Sequence, residues 1–312
     1  MIDEKEQFTV LKDLQESILS LKKERNAVIL AHSYQSPEIQ EIADFTGDSF
    51  ALSVKAKDID ADTVLLCGVR FMADTVKILN PHKTVLLPNP TASCPMAHQI
   101  DPLRVKQYKQ EHPDCCVVAY VNTSTQLKAQ CDVCVTSSSA PKIVSRIPND
   151  HILFIPDCNL GSWVQKLLPH KRLTLWEGHC PVHNQVTAED CMHVKALYPD
   201  AKLAVHPECP PEVTEQADLV GSTAEILQYA SSREDDIIVG TEKTIADWLS
   251  LQFPKRRFPL LSKKLICHDM RVTTLSDVYH TLEGVGGEEI VLEESLRLAA
   301  KRPIDAMIEL NT

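Results

Sequence analysis

The chain has 312 residues, with 43 acidic against 32 basic side chains, a formal charge of −11 and an ordinary hydrophobic share of 44%. That balance excludes global disorder, collagen and coiled coil. It also argues against a nucleic-acid partner, because phosphate affinity is built from Lys and Arg that displace counterions. No apolar run approaches the roughly 18 residues of a membrane helix, and the opening MIDEKEQFTVLKDLQ is acidic and polar, unlike a signal peptide. The reading is a cytoplasmic protein whose 11 cysteines stay thiols, packed as small hydrophobes or used as metal ligands.

Phe8, Leu11, Leu14, Ile18 and Leu21 recur at helical spacing and predict an amphipathic opening helix. Asn26–Ala31 reads as a buried strand, and Pro37–Asp44 as a helix with proline at its start. Thr63–Cys67 is a second strand, followed by a helix to Leu79 and a strand at Thr84–Leu87. Solid apolar strands alternating with helices predict an α/β protein with parallel sheets covered on both faces.

The pattern then recurs. AVILAHSYQSPEIQEIADFTGDSFAL from Ala27 aligns with CVVAYVNTSTQLKAQCDVCVTSSSAPKI from Cys116 and with KLAVHPECPPEVTEQADLVGSTAEIL from Lys202. Each is an apolar strand, a polar triplet, a helix, an aspartate (Asp44, Asp132, Asp218) and a hydroxyl-rich turn (Ser49, Ser137, Thr223). The second halves align too, from Asp62, His151 and Asp236. Each ends in a loop with one cysteine: Cys94, Cys180 and Cys267. The expected architecture is three αβα sandwich domains around a pseudo-threefold axis, with the active site at their junction. The domains would be 1–111 with the opening helix, 112–197, and 198–312 with a C-terminal tail.

Three cysteines at equivalent loop positions would converge on one point. Three thiolates suit a tetrahedral zinc or one [4Fe–4S] cluster, and three ligands leave a fourth position open for chemistry. The triplets lie just past the C-terminal ends of parallel strands, where α/β proteins place their sites. His32 and Tyr34, Tyr120 and Asn122, and His206 and Glu208 therefore become acid/base and hydrogen-bonding candidates. Ser49, Ser137 and Thr223 open helical segments, where a hydroxyl either caps the helix or helps hold an anion. Cys131-Asp-Val-Cys134 has redox-motif spacing but reads as packing, and Lys255-Arg256-Arg257 reads as solvated surface. Neither a GxGxxG nor a GxxxxGK[ST] motif is present, so nucleotide binding has no motif support.

From Asn26 to Leu310 the chain resembles the quinolinate synthase family (NadA). The resemblance is carried by AHSYQ (31–35), GDS (47–49), GVRFMADT (68–75), CPMA (94–97), YVNT (120–123), VTSS (135–138), PDCNLG (156–161), GHCPVH (178–183), HPEC (206–209), VGST (220–223) and TEKT (241–244). It implies three αβα domains and the condensation of iminoaspartate with dihydroxyacetone phosphate to quinolinate, phosphate and water. It implies a [4Fe–4S] cluster on Cys94, Cys180 and Cys267, with one iron open as a Lewis acid. Tyr34, Tyr120 and Glu208 would move protons. His32, Asn122, His206, Ser49, Ser137 and Thr223 would bind substrate. An aspartate-oxidising enzyme would supply iminoaspartate. Neither nucleic acid nor membrane is expected as a partner.

The chain departs from the family pattern at Ser33, in place of a second aromatic, at Val135 and Ser139 of the hydroxyl motif, and at His268 beside Cys267. Cys209, next to Glu208, reads as packing or as half of a reversible disulfide. Two other readings use the same residues: a zinc hydrolase on three cysteines, and a metabolite-binding cradle without catalysis.

Overall fold

The computed structural model describes residues 4–312, with side chains from residue 9 onward except those of Phe50, Ser53 and Lys57. The chain runs α1 (Glu4–Glu24), β1 (Ala27–His32), α2 (Pro37–Ile42), β2 (Phe45–Gly47), α3 (Ser49–Lys55), β3 (Thr63–Cys67), α4 (Arg70–Leu79) and β4 (Thr84–Leu87). The same succession returns as α5 (Pro102–Glu111), β5 (Cys116–Tyr120), α6 (Thr125–Lys128), β6 (Val133–Val135), α7 (Ala140–Arg146), β7 (His151–Ile155), α8 (Cys158–Leu167) and β8 (Arg172–Leu175). It returns again as α9 (Ala188–Leu197), β9 (Lys202–Val205), α10 (Pro211–Thr214), β10 (Leu219–Val220), α11 (Thr223–Ser231), β11 (Ile237–Gly240) and α12 (Lys243–Gln252). The tail forms α13 (His268–Arg271), α14 (Leu275–Glu283), β12 (Glu288–Glu289) and α15 (Glu294–Asn311).

The sheets follow the repeats. The first runs β12-β4-β3-β1-β2, the second β6-β5-β7-β8 and the third β10-β9-β11. All pairs are parallel except β12 against β4. Each repeat thus places its first strand between its second and third. In the third repeat the fourth strand shrinks to a parallel bridge between Val239 and Leu260. Strands β5 and β7 are buried along their whole length, as solid Val, Ile and Leu runs require when both faces are covered.

The repeat aspartate is a clasp. Asp44 Oδ2 accepts the Ile29 N–H at 2.8 Å, Asp132 Oδ2 the Val117 N–H at 2.8 Å, and Asp218 Oδ2 the Leu203 N–H at 2.9 Å. The backbone returns the bond, with Asp44, Asp132 and Asp218 N–H groups donating to the carbonyls of Ile29, Val117 and Leu203. Each clasp thereby fixes where the second strand starts relative to the first.

The chain divides into two compact units that do not follow the repeat boundaries. Unit 1 holds residues up to Ser93 together with His268–Leu292, and unit 2 holds Cys94–Cys267 with Glu293–Thr312. In unit 1, Ile18 of α1 is fully buried with Ile29, Leu65 and Cys67 of the sheet and with Val278 of α14. Leu11, Leu14 and Leu21 pack against that core. The side chain of Phe8 lies outside the described residues. In unit 2, Cys115, Val117, Leu127, Cys131 and Leu153 share one core, while Cys191, Leu203, Cys209 and Ile238 share another. Cys131 and Cys134 are both buried, as the packing reading requires. All eleven cysteines are free thiols, and Cys209 is buried with its Sγ 3.6 Å from the Gly240 carbonyl.

Lys255-Arg256-Arg257 is not simply solvated surface. Arg256 lies over Phe253 and Phe258 and donates to the carbonyls of Ala230 and Asp235. Arg257 Nε binds Asp236 Oδ2 at 2.6 Å. The guanidinium groups find carbonyl and ring partners that a charge run in the sequence does not reveal. Among the described residues no helix is long and apolar enough to cross a membrane.

Candidate active site in unit 2

The triplets are shaped by their own backbone. In unit 1, His32 ends β1 and its Nδ1 accepts the Tyr34 N–H at 3.1 Å, with the two rings edge to face at 4.6 Å. In unit 2, His206 follows β9 and its Nδ1 accepts the Glu208 N–H at 3.3 Å. His206 Nε2 meets Ser137 Oγ at 3.2 Å. The turn is also tied from below. Lys128 Nζ donates to the Val121 carbonyl at 2.7 Å and to the Thr123 carbonyl at 2.5 Å. Gln40, at the matching position of the first repeat, donates to the carbonyls of Ser33 and Gln35 at 3.2 and 2.8 Å. These bonds hold the loops that carry Tyr120 and Asn122 in one case and Tyr34 in the other.

The hydroxyl positions differ from a simple capping reading. Asp48 is the N-cap of α3, where it accepts the Ala51 N–H, and Ser222 caps α11 in a reciprocal box with Glu225. Ser49 and Thr223 are the first helical residues, one step later. Ser137 precedes α7 by three residues and faces His206, while Ser139 occupies the cap position and shares a hydroxyl network with Thr136 and Ser138. In the first and third repeats capping thus falls to Asp48 and Ser222, whose side chains accept a first-turn N–H, while Ser139 at the start of α7 makes no such side-chain bond.

The centre of unit 2 is a buried relay. His183 Nδ1 lies 2.7 Å from Glu208 Oε2 and 3.3 Å from Cys180 Sγ, and its Nε2 meets Thr241 Oγ1 at 3.1 Å. The rings of His183 and His206 stack at 4.8 Å. One ligand atom from each of Cys180, His183 and Glu208 lies within 4.8 Å of the others, a spacing that could hold a metal ion. Burial alone would raise the Glu208 carboxyl. The charges of His206 and His183, with hydrogen bonds from His183 and Tyr120, overcome that and hold it at about 2. Asp157 goes the other way: burial and then the Glu208 charge push its carboxyl up, against N–H groups of Leu160, Cys180 and Asn159.

The cysteine loops meet here. Cys94 is pushed up to about 12 by burial, with further contributions from the charges of Glu208 and Cys267. Burial, and then the charges of Glu208 and Cys94, likewise push the Cys180 thiol well above its ordinary value. Cys94, Cys180 and Cys267 are each half-buried. Gly178 permits the second loop its path: a Cβ there would lie 2.2 Å from the Pro156 carbonyl oxygen. Cys158, at the start of α8, is a half-buried thiol whose N–H donates to the Gly178 carbonyl at 2.7 Å. Thiols this hard to ionise become thiolates when a cationic centre stabilises them. Asn122 Oδ1 is buried with no hydrogen-bond partner, as an atom waiting for a ligand would be. Sulfur donors, an open acceptor and a carboxylate–imidazole relay fit an iron–sulfur cofactor.

Of the candidates, Tyr120, Asn122, Ser137, His206, Glu208, Thr223 and the three cysteines belong to unit 2, and His32, Tyr34 and Ser49 to unit 1. Sequence reasoning left His183, Lys128, Asp157 and Glu242 without roles. His183 was visible in GHCPVH, three residues after Cys180, but the equivalent positions of the other two cysteine loops hold Ala97 and Met270, so the repeat does not mark it.

An α/β scaffold with its acid/base groups at parallel strand ends, beside clustered thiols, is compatible with an enzyme that holds a metal cofactor. A family model described as quinolinate synthetase A protein matches residues 16–309. Quinolinate synthase of Aquifex aeolicus is 45% identical over 307 residues, covering 96% of this chain and 95% of the relative. Quinolinate synthase of Clostridium acetobutylicum is 46% identical over 300 residues, covering 95% of this chain and 98% of the relative. The chain belongs to the quinolinate synthase family and is an enzyme of that type.

Proposed function

We propose that this enzyme makes quinolinate for NAD biosynthesis by condensing iminoaspartate with dihydroxyacetone phosphate, releasing phosphate and two waters. Cys94, Cys180 and Cys267 hold one [4Fe–4S] cluster, which supplies a Lewis-acidic iron with one position open to substrate. The observation that carries a metal cofactor here is the grouping of Cys180, His183 and Glu208 within 4.8 Å; Cys94 and Cys267 as further ligands rest on the family resemblance. Full-length similarity to quinolinate synthases supports it.

The side chains divide the remaining work. Glu208, held ionised by two imidazoles, accepts a proton from substrate. Tyr120, hydrogen-bonded to Glu208, relays it. Tyr34 is a further acid/base group. Asn122 uses its unpartnered Oδ1 to orient bound substrate. His32 and His206 bind carboxylate or hydroxyl oxygens of substrate, and Ser49, Ser137 and Thr223 hold carboxylate and phosphate groups. The shared strand order of the three sheets supports three domains, 1–111, 112–197 and 198–312, related by a pseudo-threefold axis. Eleven free thiols accord with a reducing cytoplasm, and an aspartate-oxidising enzyme is the expected source of iminoaspartate.

Anaerobic purification with iron, sulfide and visible-absorption analysis tests the cofactor. The expected protein is brown, with Cys180→Ala bleached and Cys158→Ala coloured. A zinc-loaded, colourless protein would overturn the cluster. Quinolinate production from the two substrates tests the reaction, and a fully loaded enzyme that makes none would overturn the substrate assignment.

A further inference from the structure

Two buried carboxylates beside the cysteine loops have no part in the steps above. Asp157 and Glu242 are both fully buried. They occupy the N-cap positions of α8 and α12, the ten-residue helices that follow the third strand of their repeats. One oxygen of each closes a helix end: Asp157 Oδ1 accepts the Leu160 N–H at 2.8 Å, and Glu242 Oε2 the Thr244 N–H at 2.7 Å. A cap needs only that oxygen. The second oxygen reaches a cysteine: Asp157 Oδ2 accepts the Cys180 N–H at 3.0 Å, and Glu242 Oε1 the Cys267 N–H at 3.4 Å. The first repeat has Val69 at this position, which offers no side-chain cap.

We infer that Asp157 and Glu242 are positioning residues for the metal-holding cysteines. Each carboxylate ties a cysteine peptide to a rigid helix end. Each also occupies an N–H that would otherwise turn toward sulfur. The inference rests on the three-cysteine cluster proposed above. Outer partners of this kind govern how firmly ligands hold metal, and N–H bonds to sulfur tune cluster potential. The arrangement makes the loops unequal: two are clamped by a carboxylate, and the first has no carboxylate at the corresponding position.

The amide variants separate the two halves of each carboxylate. Asp157→Asn keeps an oxygen for the Leu160 N–H but sets an NH₂ donor against the Cys180 N–H; Glu242→Gln does the same to Cys267. Asp157→Ser keeps a cap of another kind and has no second oxygen. The control is Asp101→Asn, at the cap of α5, where the carboxylate accepts the Leu103 N–H. The experiment loads the whole chain anaerobically and measures iron loss to a ferrous chelator and the cluster midpoint potential, with circular dichroism for folding. In Asp157→Asn, Asp157→Ser and Glu242→Gln, iron should leave about 10-fold faster or more. The midpoint should move positive in the same three as the freed N–H turns to sulfur. Asp101→Asn should match the parent protein in both. Folded amide and serine variants with the parent rate and potential would overturn the inference. A parent protein that takes up no iron, or a Cys180→Ala variant that keeps its iron, would instead overturn the cluster reading and this inference with it.

Discussion

Asp132 shows how a single side chain marks a repeat and builds it at once. Its Oδ2 satisfies the N–H of fully buried Val117, while its Oδ1 meets Lys109 near the surface. The exposed ion pair is worth little; the buried N–H decides the cost. Asp132→Ala should destabilise the protein by about 1–3 kcal/mol, the cost of leaving that group unsatisfied, read as a lower urea midpoint with unchanged slope. Lys109→Ala should cost well under half as much. Asp236 makes a pH-dependent case. The Arg257 N–H holds its carboxyl below the ordinary range; burial opposes this, and the Arg257 guanidinium adds to the lowering. A folded value below the unfolded one means the stabilisation is present above about pH 4 and fades as pH falls through the folded value. The stability gap between the parent and Asp236→Asn should therefore be open at pH 6 and narrow below pH 4, as urea titrations at both values would show. The repeat aspartates were legible because they recur at fixed spacing; Asp157, Glu242 and Lys128 were not, because their partners are backbone groups that no sequence pattern displays.

The element that most directly sets the site is the turn after the first strand of each repeat. Lys128 is fully buried, with its charge on two carbonyls of the turn that carries Asn122. Lys128→Met removes both bonds and leaves the Thr123 carbonyl without that donor. It should cost about 2–4 kcal/mol, taking two buried hydrogen bonds at 1–2 kcal/mol each, and should lower quinolinate formation more than substrate affinity. Lys128→Gln copies the residue that serves the first repeat and should recover part of both losses. If Met and Gln variants lose activity equally while melting apart, the turn is not what Lys128 holds. Strands and long helices were readable here: β3 and β4 fall on the predicted residues, and α4 ends at Leu79. The exact helix starts were harder to read. Ser49 and Thr223 each sit one residue inside a helix, because Asp48 and Ser222 are equally good caps and lie one step earlier.

At the scale of the molecule, the tail has two destinations. Residues 268–292 belong to unit 1, where α14 packs on α1 and β12 pairs with β4. Residues 293–312 belong to unit 2, where α15 lies against α6, α7 and β6. The repeats carried no information about this, since the tail has no counterpart in the other two copies, and its helical pattern names no neighbour. The consequence is testable by length. A chain ending at Leu292 keeps every residue of unit 1 but strips α15 from the unit that holds all three cysteines. Ile304 and Met307 are fully buried in α15, and truncating either to Ala should cost about 2–5 kcal/mol. Losing the whole helix should therefore exceed the stability margin of unit 2 while sparing the core that α1 shares with α14. The expected result is a truncated protein that takes up little iron and is cleaved by protease within 94–267, while fragments containing the unit 1 core persist. Normal iron uptake and uniform protease resistance in the truncated chain would show that α15 only decorates unit 2.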